Sequence, residues 1–271
     1  MVIAFVSDTR SSVNTAWKWQ TWQDLPYLTC NLLSQWSHGF FTRSFYPRSP
    51  EELTSILTSE AEVYRVKQVH GNCVLTPKEI KTGMQRESLE DNFPNADGII
   101  TEQTLQAIWV ASADCTPLLM GDVKTGRVSA IHAGWRGTAQ RIAPEAISRF
   151  LAMGSRLEDL RVAMGPAING TVYQVTKTVA ICIGESLVTD NPDKILTILE
   201  NMPNSPVLSD AHPDRVRIDV RLVNLIQLLQ LGLQEEQIAI APYCTYQQPD
   251  YFFSFRRTQE KKVQWSGIIS V

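Results

Sequence analysis

The sequence predicts an α+β fold in which mixed β-sheets are flanked by helices and the functional site lies at strand ends. Two observations carry this expectation. Strand-like segments come in groups rather than in strict alternation with helices, which argues against a doubly wound parallel sheet. The middle third is a series of short apolar runs that are continuous rather than alternating, the pattern of strands buried on both faces. A chain of 271 residues can bury a sizeable core, and proline and glycine are spread thinly with no evident linker. Residues 1–271 are therefore expected to form a single domain.

The elements follow in order. Trp17, Trp19 and Trp22 in WKWQTW mark an early strand, and HGFFTR (residues 38–43) is a short apolar strand ending in a cation. SPEELTSILTSE opens a helix, with Ser49 as N-cap, Pro50 at the first helical position and Glu52 closing a capping box. YRVKQVHG (64–71) alternates like a half-buried strand and ends at His70, and residues 77–94, charged and polar, predict a long surface loop. ADGIIT, LQAIWVASADC, TPLLMGD and RVSAIH predict buried strands. A helix is expected over about residues 138–153, with Pro144 in its first turns. DLRVAMGP then predicts a strand, VTKTVAICIGESL a helix, and RIDVRLVNLIQLLQLG a periodic helix stopped by Gly232. IAIAPYC, YFFSFRR and QWSGIISV close the chain as strands.

Composition narrows the function. A formal net charge of −3 gives no electrostatic case for nucleic acid or an anionic membrane as partner, and no stretch approaches a membrane span. MVIAFVSDTR has no basic leader and too short an apolar run for a signal peptide. The five cysteines, Cys30, Cys73, Cys115, Cys182 and Cys244, are odd in number and scattered, a poor disulfide framework. A cytoplasmic chain with free thiols, acting on a small molecule, is the expectation.

The chemistry concentrates in a few places. Of the four histidines, His70 and His132 end predicted strands and run into glycine or Ala-Gly, and Cys115 ends another in ASADC. A Cys-His-His set at neighbouring strand ends suits one zinc ion with its fourth position open, which is the catalytic pattern. The alternative is a pair of hydrogen-bonded core histidines and a cysteine serving as a small buried hydrophobe. The stretch SAIHAGWRGTAQRI (129–142) adds Gly134 and Gly137, which permit close backbone approach, and Arg136, a planar cation for phosphate or carboxylate. His38 is a weaker candidate, able to assist an anion contact beside Arg43. Asp114, adjacent to Cys115, is the nearest carboxylate in sequence for proton transfer, or else it fixes a turn. Cys244 reads as a buried thiol and His212 as a loop residue.

RVKQVHG, NADGIIT, ASADCTPLLMGD, AIHAGWRGTAQRI, VAMGPAI and DYFFSFRR, in that order, resemble the laccase-domain family, also called multicopper polyphenol oxidoreductase or purine nucleoside phosphorylase-like. The resemblance runs from about residue 38 almost to the C-terminus. It implies an α+β domain in which His70, Cys115 and His132 bind zinc, with Arg43 and Arg136 as anion contacts. It also implies phosphorolysis of purine nucleosides, with adenosine deamination as a companion activity. Other members are credited with laccase activity or with editing of peptidoglycan precursors. This chain departs from the pattern in three segments. SFYPRSP replaces a glycine-rich stretch, Thr171 and Gln174 stand where Cys and Glu are usual, and TQEKKVQWSG replaces the Thr-Gly-Arg expected after FFSFRR.

Four histidines are too few for the imidazole-rich ligand set of several copper ions, so copper is the weaker expectation and zinc the stronger. The expected function is a zinc-dependent purine nucleoside enzyme. Cys115, His70, His132 and Asp114 are the catalytic candidates, Arg43, Arg136 and His38 the phosphate-binding ones. Two other classes remain open: a cysteine hydrolase with Cys115 as nucleophile, and a non-catalytic small-molecule binding module.

Overall fold

A computed structural model describes residues 16–86 and 93–271. The N-terminal MVIAFVSDTR and the middle of the predicted loop at 77–94 lie outside the described residues.

The first strands are β1 (Trp17–Trp22), β2 (Leu25–Cys30) and β3 (His38–Phe41), followed by α1 (Pro50–Leu57) and β4 (Glu62–Tyr64). Then come β5 (Val74–Leu75), α2 (Pro77–Arg86), β6 (Gly98–Ile100), β7 (Gln106–Ser112), β8 (Thr116–Asp122) and β9 (Val128–Ala133). Two helices, α3 (Trp135–Ala139) and α4 (Ile142–Ala152), lead to β10 (Leu160–Met164), β11 (Gln174–Thr176), α5 (Lys177–Gly184) and α6 (Pro192–Glu200). The chain ends through β12 (Val207–Ser209), β13 (Arg215–Ile218), α7 (Val220–Gln230), β14 (Ile238–Ile240), α8 (Phe255–Thr258) and β15 (Gln264–Ile269).

The fold is α+β. Two six-stranded sheets run in the orders β1-β2-β3-β15-β7-β4 and β14-β10-β8-β9-β6-β5, and a three-stranded sheet runs β11-β13-β12. Most pairs are antiparallel, while β4 with β7, β5 with β6 and β10 with β14 are parallel. The six-stranded sheets bury one shared core, to which the first gives Leu28, Phe40, Ile108, Val110 and Ile268 and the second Ile99, Leu119, Ala130 and Ala163. Their outer faces are covered as well. Phe41, Trp109 and Ile269 pack with Leu53 of α1, and Leu118, Met120 and Ile131 pack with Ile147 and Phe150 of α4 and Leu228 of α7. Successive residues therefore enter different cores, which is why β7, β8 and β9 read as unbroken apolar runs.

Local chemistry explains both the agreements and the differences. Ser49 and Glu52 form the expected capping box on α1. The single helix expected over 138–153 is two, because Arg141 adopts a left-handed conformation (φ 64°) between α3 and α4, and Pro144 falls in the first turn of α4. RIDVRLVNLIQLLQLG divides as well: β13 ends at Ile218, the Asp219 side chain accepts from the amides of Arg221 and Leu222, and α7 starts there. The first part of the expected loop at 77–94 is helix α2. YFFSFRR is not a strand. The Phe253 amide donates to the Gln264 side chain, Ser254 caps the one-turn α8, and no ladder forms. Among the described residues, no helix is long and apolar enough to cross a membrane.

Candidate metal and catalytic site

Cys115 lies where the chain passes from one large sheet to the other. β7 ends at Ser112, β8 begins at Thr116, and the turn between them carries Asp114 at φ 95°. That conformation is strained for a residue with a Cβ, by about 1–3 kcal/mol, and needs surrounding contacts to persist. They are present: Asp114 accepts from the Thr245 hydroxyl at 2.7 Å and the Arg256 amide at 2.7 Å, and its carbonyl accepts from Ile168. Both carboxylate oxygens thus help to fix the turn that carries Cys115, the second of the two roles expected of Asp114.

His70 reaches the same place by a different device. The strand expected over 64–71 stops at Tyr64, and beyond it only Lys67 makes a backbone bridge, to Asn95, before side chains take over. Gln68 pairs with both backbone groups of Ala111, accepting from its N–H at 2.7 Å and donating to its C=O at 2.8 Å, and so ties this segment to β7 just before Cys115. The fully buried Asp97 carboxylate then accepts the amides of Val69, His70 and Gly71 at 3.1, 2.9 and 2.7 Å. These bonds hold His70 at φ 62°. His70 is therefore in a turn rather than at a strand end.

His132 alone sits in a strand, β9, buried, and its Nδ1 donates to Asp97 Oδ1 at 2.9 Å. That bond fixes the tautomer and leaves Nε2 for a ligand. One carboxylate thus orients both histidines. Sequence reasoning does not single out Asp97 and Gln68, although they stand in the motifs NADGIIT and QVHG.

The three side chains meet: ligand atoms of His70, Cys115 and His132 all lie within 4.8 Å of one another. The imidazole rings are 4.8 Å apart, edge to face. Both glycines of HAGWRG serve this meeting. A Cβ on Gly134 would stand 2.8 Å from Cys115 Sγ and 3.2 Å from His70 Cδ2, and one on Gly137 would stand 2.7 Å from the Gly71 carbonyl. Neither glycine has a positive φ, so the requirement is closeness rather than backbone freedom.

Electrostatics couple the triad. Burial pushes the Cys115 thiol up, but the charge and hydrogen bond of His132, followed by those of His70, outweigh it and bring the thiol down to about 6. For His132, burial works downward, and the Cys115 thiolate and Asp97 outweigh it and raise the imidazole to about 9. Asp97, opposed by burial, is held below the usual carboxylate range by His132 and the Gly71 and Val69 amides. Without metal, the pair is a thiolate beside an imidazolium across neutral pH. In protein stripped of metal by a chelator, alkylation of Cys115 by iodoacetamide is expected to rise with pH about a midpoint near 6 rather than the 9.0 of an ordinary thiol. Peptide mapping by mass spectrometry reads the site, since Cys73 and Cys182 are exposed and react as well. A midpoint above 8 contradicts the coupling.

The donor set fits zinc: one thiolate and two imidazoles, with a carboxylate in the outer shell. All three ligands line a cleft of about 400 Å³, together with Val66, Gln68, Phe255, Trp265 and the segment Glu260–Val263. A larger open groove, about 810 Å³, lies between α2 and α4, and its lining includes none of the triad.

The other candidates are not brought into the cleft. His38 is a core histidine: Nε2 accepts from the Cys30 amide and Nδ1 donates to the Trp36 carbonyl, both at 2.8 Å, so no ring nitrogen remains for phosphate. Arg43 donates to the Pro249 carbonyl at 2.7 Å and lies over the Phe253 ring. Arg136 lies over the Trp135 ring. Thr171, where the family pattern has cysteine, is exposed and bonded to Asn169.

The α+β fold thus presents, where the chain crosses between its two large sheets, a Cys-His-His triad that could hold a metal ion at the wall of a cleft. Residues 49–270 match the family described as multi-copper polyphenol oxidoreductase laccase, and the chain belongs to that family. A Synechocystis sp. protein named purine nucleoside phosphorylase is 53% identical over 260 residues, covering 94% of this chain and 97% of that one. A protein from an unknown prokaryotic organism, named adenosine deaminase RL5, is 27% identical over 191 residues, 70% of this chain and 68% of that one. The crystal structure of YlmD from Geobacillus stearothermophilus superposes with a TM-score of 0.77 at 23% identity, covering 93% of this chain and 98% of that one.

Proposed function

We propose that the cleft beside His70, Cys115 and His132 binds a purine nucleoside and that the chain catalyses its phosphorolysis, with adenosine deamination at the same triad. The observation that carries this is the convergence of the three ligands on one wall of a cleft whose other walls are largely apolar. Phe255, 45% exposed despite its size, and Trp265 offer ring faces against which a purine can stack. The names of the relatives point the same way.

Bound at the triad, zinc would supply Lewis acidity and a water of lowered pKa. The protein's own contribution is arrangement. Asp97 holds His70 and His132 in register, Asp114 and Gln68 set Cys115 against them, and the buried position of His132 keeps bulk water from its side of the site. In phosphorolysis a phosphate oxygen forms a bond to C1′ of the ribose as the C1′–N9 bond breaks. The electron pair leaves with the purine, which takes up the proton that phosphate gives up.

Inosine given to the purified zinc-loaded protein is expected to yield hypoxanthine and ribose 1-phosphate only when phosphate is present. Adenosine is expected to release ammonia with or without phosphate. Chromatography of the products reads both. If neither product forms at stoichiometric zinc, the nucleoside assignment is wrong.

One observation favours a second reading. Asp97–His132–Cys115 has the order of an oriented base beside an activated thiolate, which suits a cysteine hydrolase acting on an amide. Zinc distinguishes the two. A metal ligand is shielded from iodoacetamide in the loaded protein, whereas a metal-independent nucleophile is alkylated as fast with zinc as without.

A further inference from the structure

We propose that Lys261 and Lys262 form the phosphate-binding lip of this site. The inference rests on the nucleoside reading and says which cations of this chain serve it. Phosphorolysis needs a dianion held within reach of the reacting sugar, and therefore cations in the cleft that holds the triad. The arginines that sequence and resemblance nominate do not line it: Arg43 is turned to the Pro249 carbonyl and the Phe253 ring, and Arg136 is stacked on Trp135. Arg256 and Arg257 are engaged elsewhere. Arg256 donates to the Gln174 carbonyl and stacks on Tyr173, and Arg257 binds the carbonyls of Thr245, Tyr246 and Phe252.

Among the described residues lining the cleft, the basic side chains besides the two histidines are Lys261 and Lys262. They belong to TQEKKVQWSG, the segment that stands where the family pattern has Thr-Gly-Arg. The fold explains why the segment can serve. α8 ends at Thr258, Gln259 turns the chain with φ 58°, and Gln264 begins β15, so residues 259–263 bridge the cleft wall from Phe255 to Trp265. Glu260 lines the cleft too and pairs with Lys262 at 3.1 Å, both side chains about half exposed. An exposed pair of this kind is weak, so a phosphate dianion competes for Lys262 effectively. Lys261 has no ion-pair partner among the described residues. With the two lysines and the ligand triad lining one cleft, the Phe255 and Trp265 rings offer the apolar surface for the base.

The test is titration calorimetry of the full-length, zinc-loaded protein with inorganic phosphate, at ionic strength held constant with chloride, with and without hypoxanthine. Each lysine is expected to contribute on the order of tenfold in phosphate affinity, as charge-assisted contacts at an exposed lip do. Lys261→Ala with Lys262→Ala should lose most binding, and Lys261→Arg with Lys262→Arg should keep it, a rescue that a merely structural role for the loop would not show. Undiminished phosphate binding by the alanine pair overturns the proposal, as does absence of phosphate binding by the unmodified protein in both conditions. Base release from inosine, measured in parallel, reports on the nucleoside reading separately. Phosphate held by the lysines with no base released ends that reading and keeps the anion site. Base released with an unchanged KM for phosphate in the alanine pair does the reverse.

Discussion

Cys115→Ala is expected to abolish stoichiometric zinc binding and to lower base release from inosine by on the order of a thousandfold, well beyond the 10–100-fold that loss of an outer-shell partner produces. The thiolate is the one anionic ligand of the three, and the two imidazoles left behind make a weak site for a dication. The fold should survive, because Cys115 is only partly buried and the turn around it is pinned by Asp114 rather than by the sulfur. Metal content by elemental analysis, product formation by chromatography and thermal unfolding of the same preparation check the three parts. Full activity with stoichiometric zinc in the alanine variant contradicts the account.

Asp97→Asn is expected to be the most damaging conservative substitution in the site. The carboxylate accepts four hydrogen bonds, from the amides of Val69, His70 and Gly71 and from His132 Nδ1, with no exposure to water. An asparagine presents one oxygen and an NH2 that can accept nothing, so at least one buried donor is orphaned and the paired charge is lost. The expected destabilisation is about 3–5 kcal/mol by denaturant unfolding. Zinc affinity should fall by about 10–100-fold even where the fold is retained, since the outer-shell carboxylate sets the His132 tautomer and holds the His70 turn. The pH dependence has a definite sign. Burial opposes ionisation of Asp97, but His132 and the amides outweigh it and hold the group below its ordinary 3.8. Its stabilisation is therefore complete above that value and lost as pH falls through the lower folded value, and the asparagine variant should lack this part of the acid limb. A variant as stable as the original protein, with unchanged acid behaviour, would remove Asp97 from its central place.

Much of the architecture is legible in the sequence because it is local. The Ser49–Glu52 capping box, the apolar runs of β7 to β9 and the grouping of strands each follow from neighbouring residues. What fails is where long-range side chains replace the backbone ladder. YRVKQVHG has strand alternation, but beyond a single bridge at Lys67 its Gln68 side chain pairs with the Ala111 backbone and its last amides go to the Asp97 carboxylate; YFFSFRR has strand composition, but Gln264 and Ser254 intercept its amides. Helix α6 is a different case, since Asn191 as cap and Pro192 at the first position are local signals within NPDKILTILE itself.

The site divides in the same way. Strand-end logic brought His70, Cys115 and His132 forward as a set, and the structure places them together, although two of the three lie in turns. Adjacency in sequence is a weak guide to chemistry. Asp114 is next to Cys115 yet anchors Thr245 and Arg256, and His38, five residues from Arg43, is locked in the sheet core. Asp97 went unnamed because its partners lie 26 to 35 residues away, and its role exists only once the His70 turn and β9 are folded against it.

The most direct test of the account is zinc K-edge X-ray absorption on the protein loaded with one equivalent of zinc. The account predicts one sulfur at about 2.3 Å and two imidazole nitrogens at about 2.0–2.1 Å, with a lighter ligand completing the shell. A shell without sulfur, or a protein that holds no zinc at stoichiometric concentration, would contradict it.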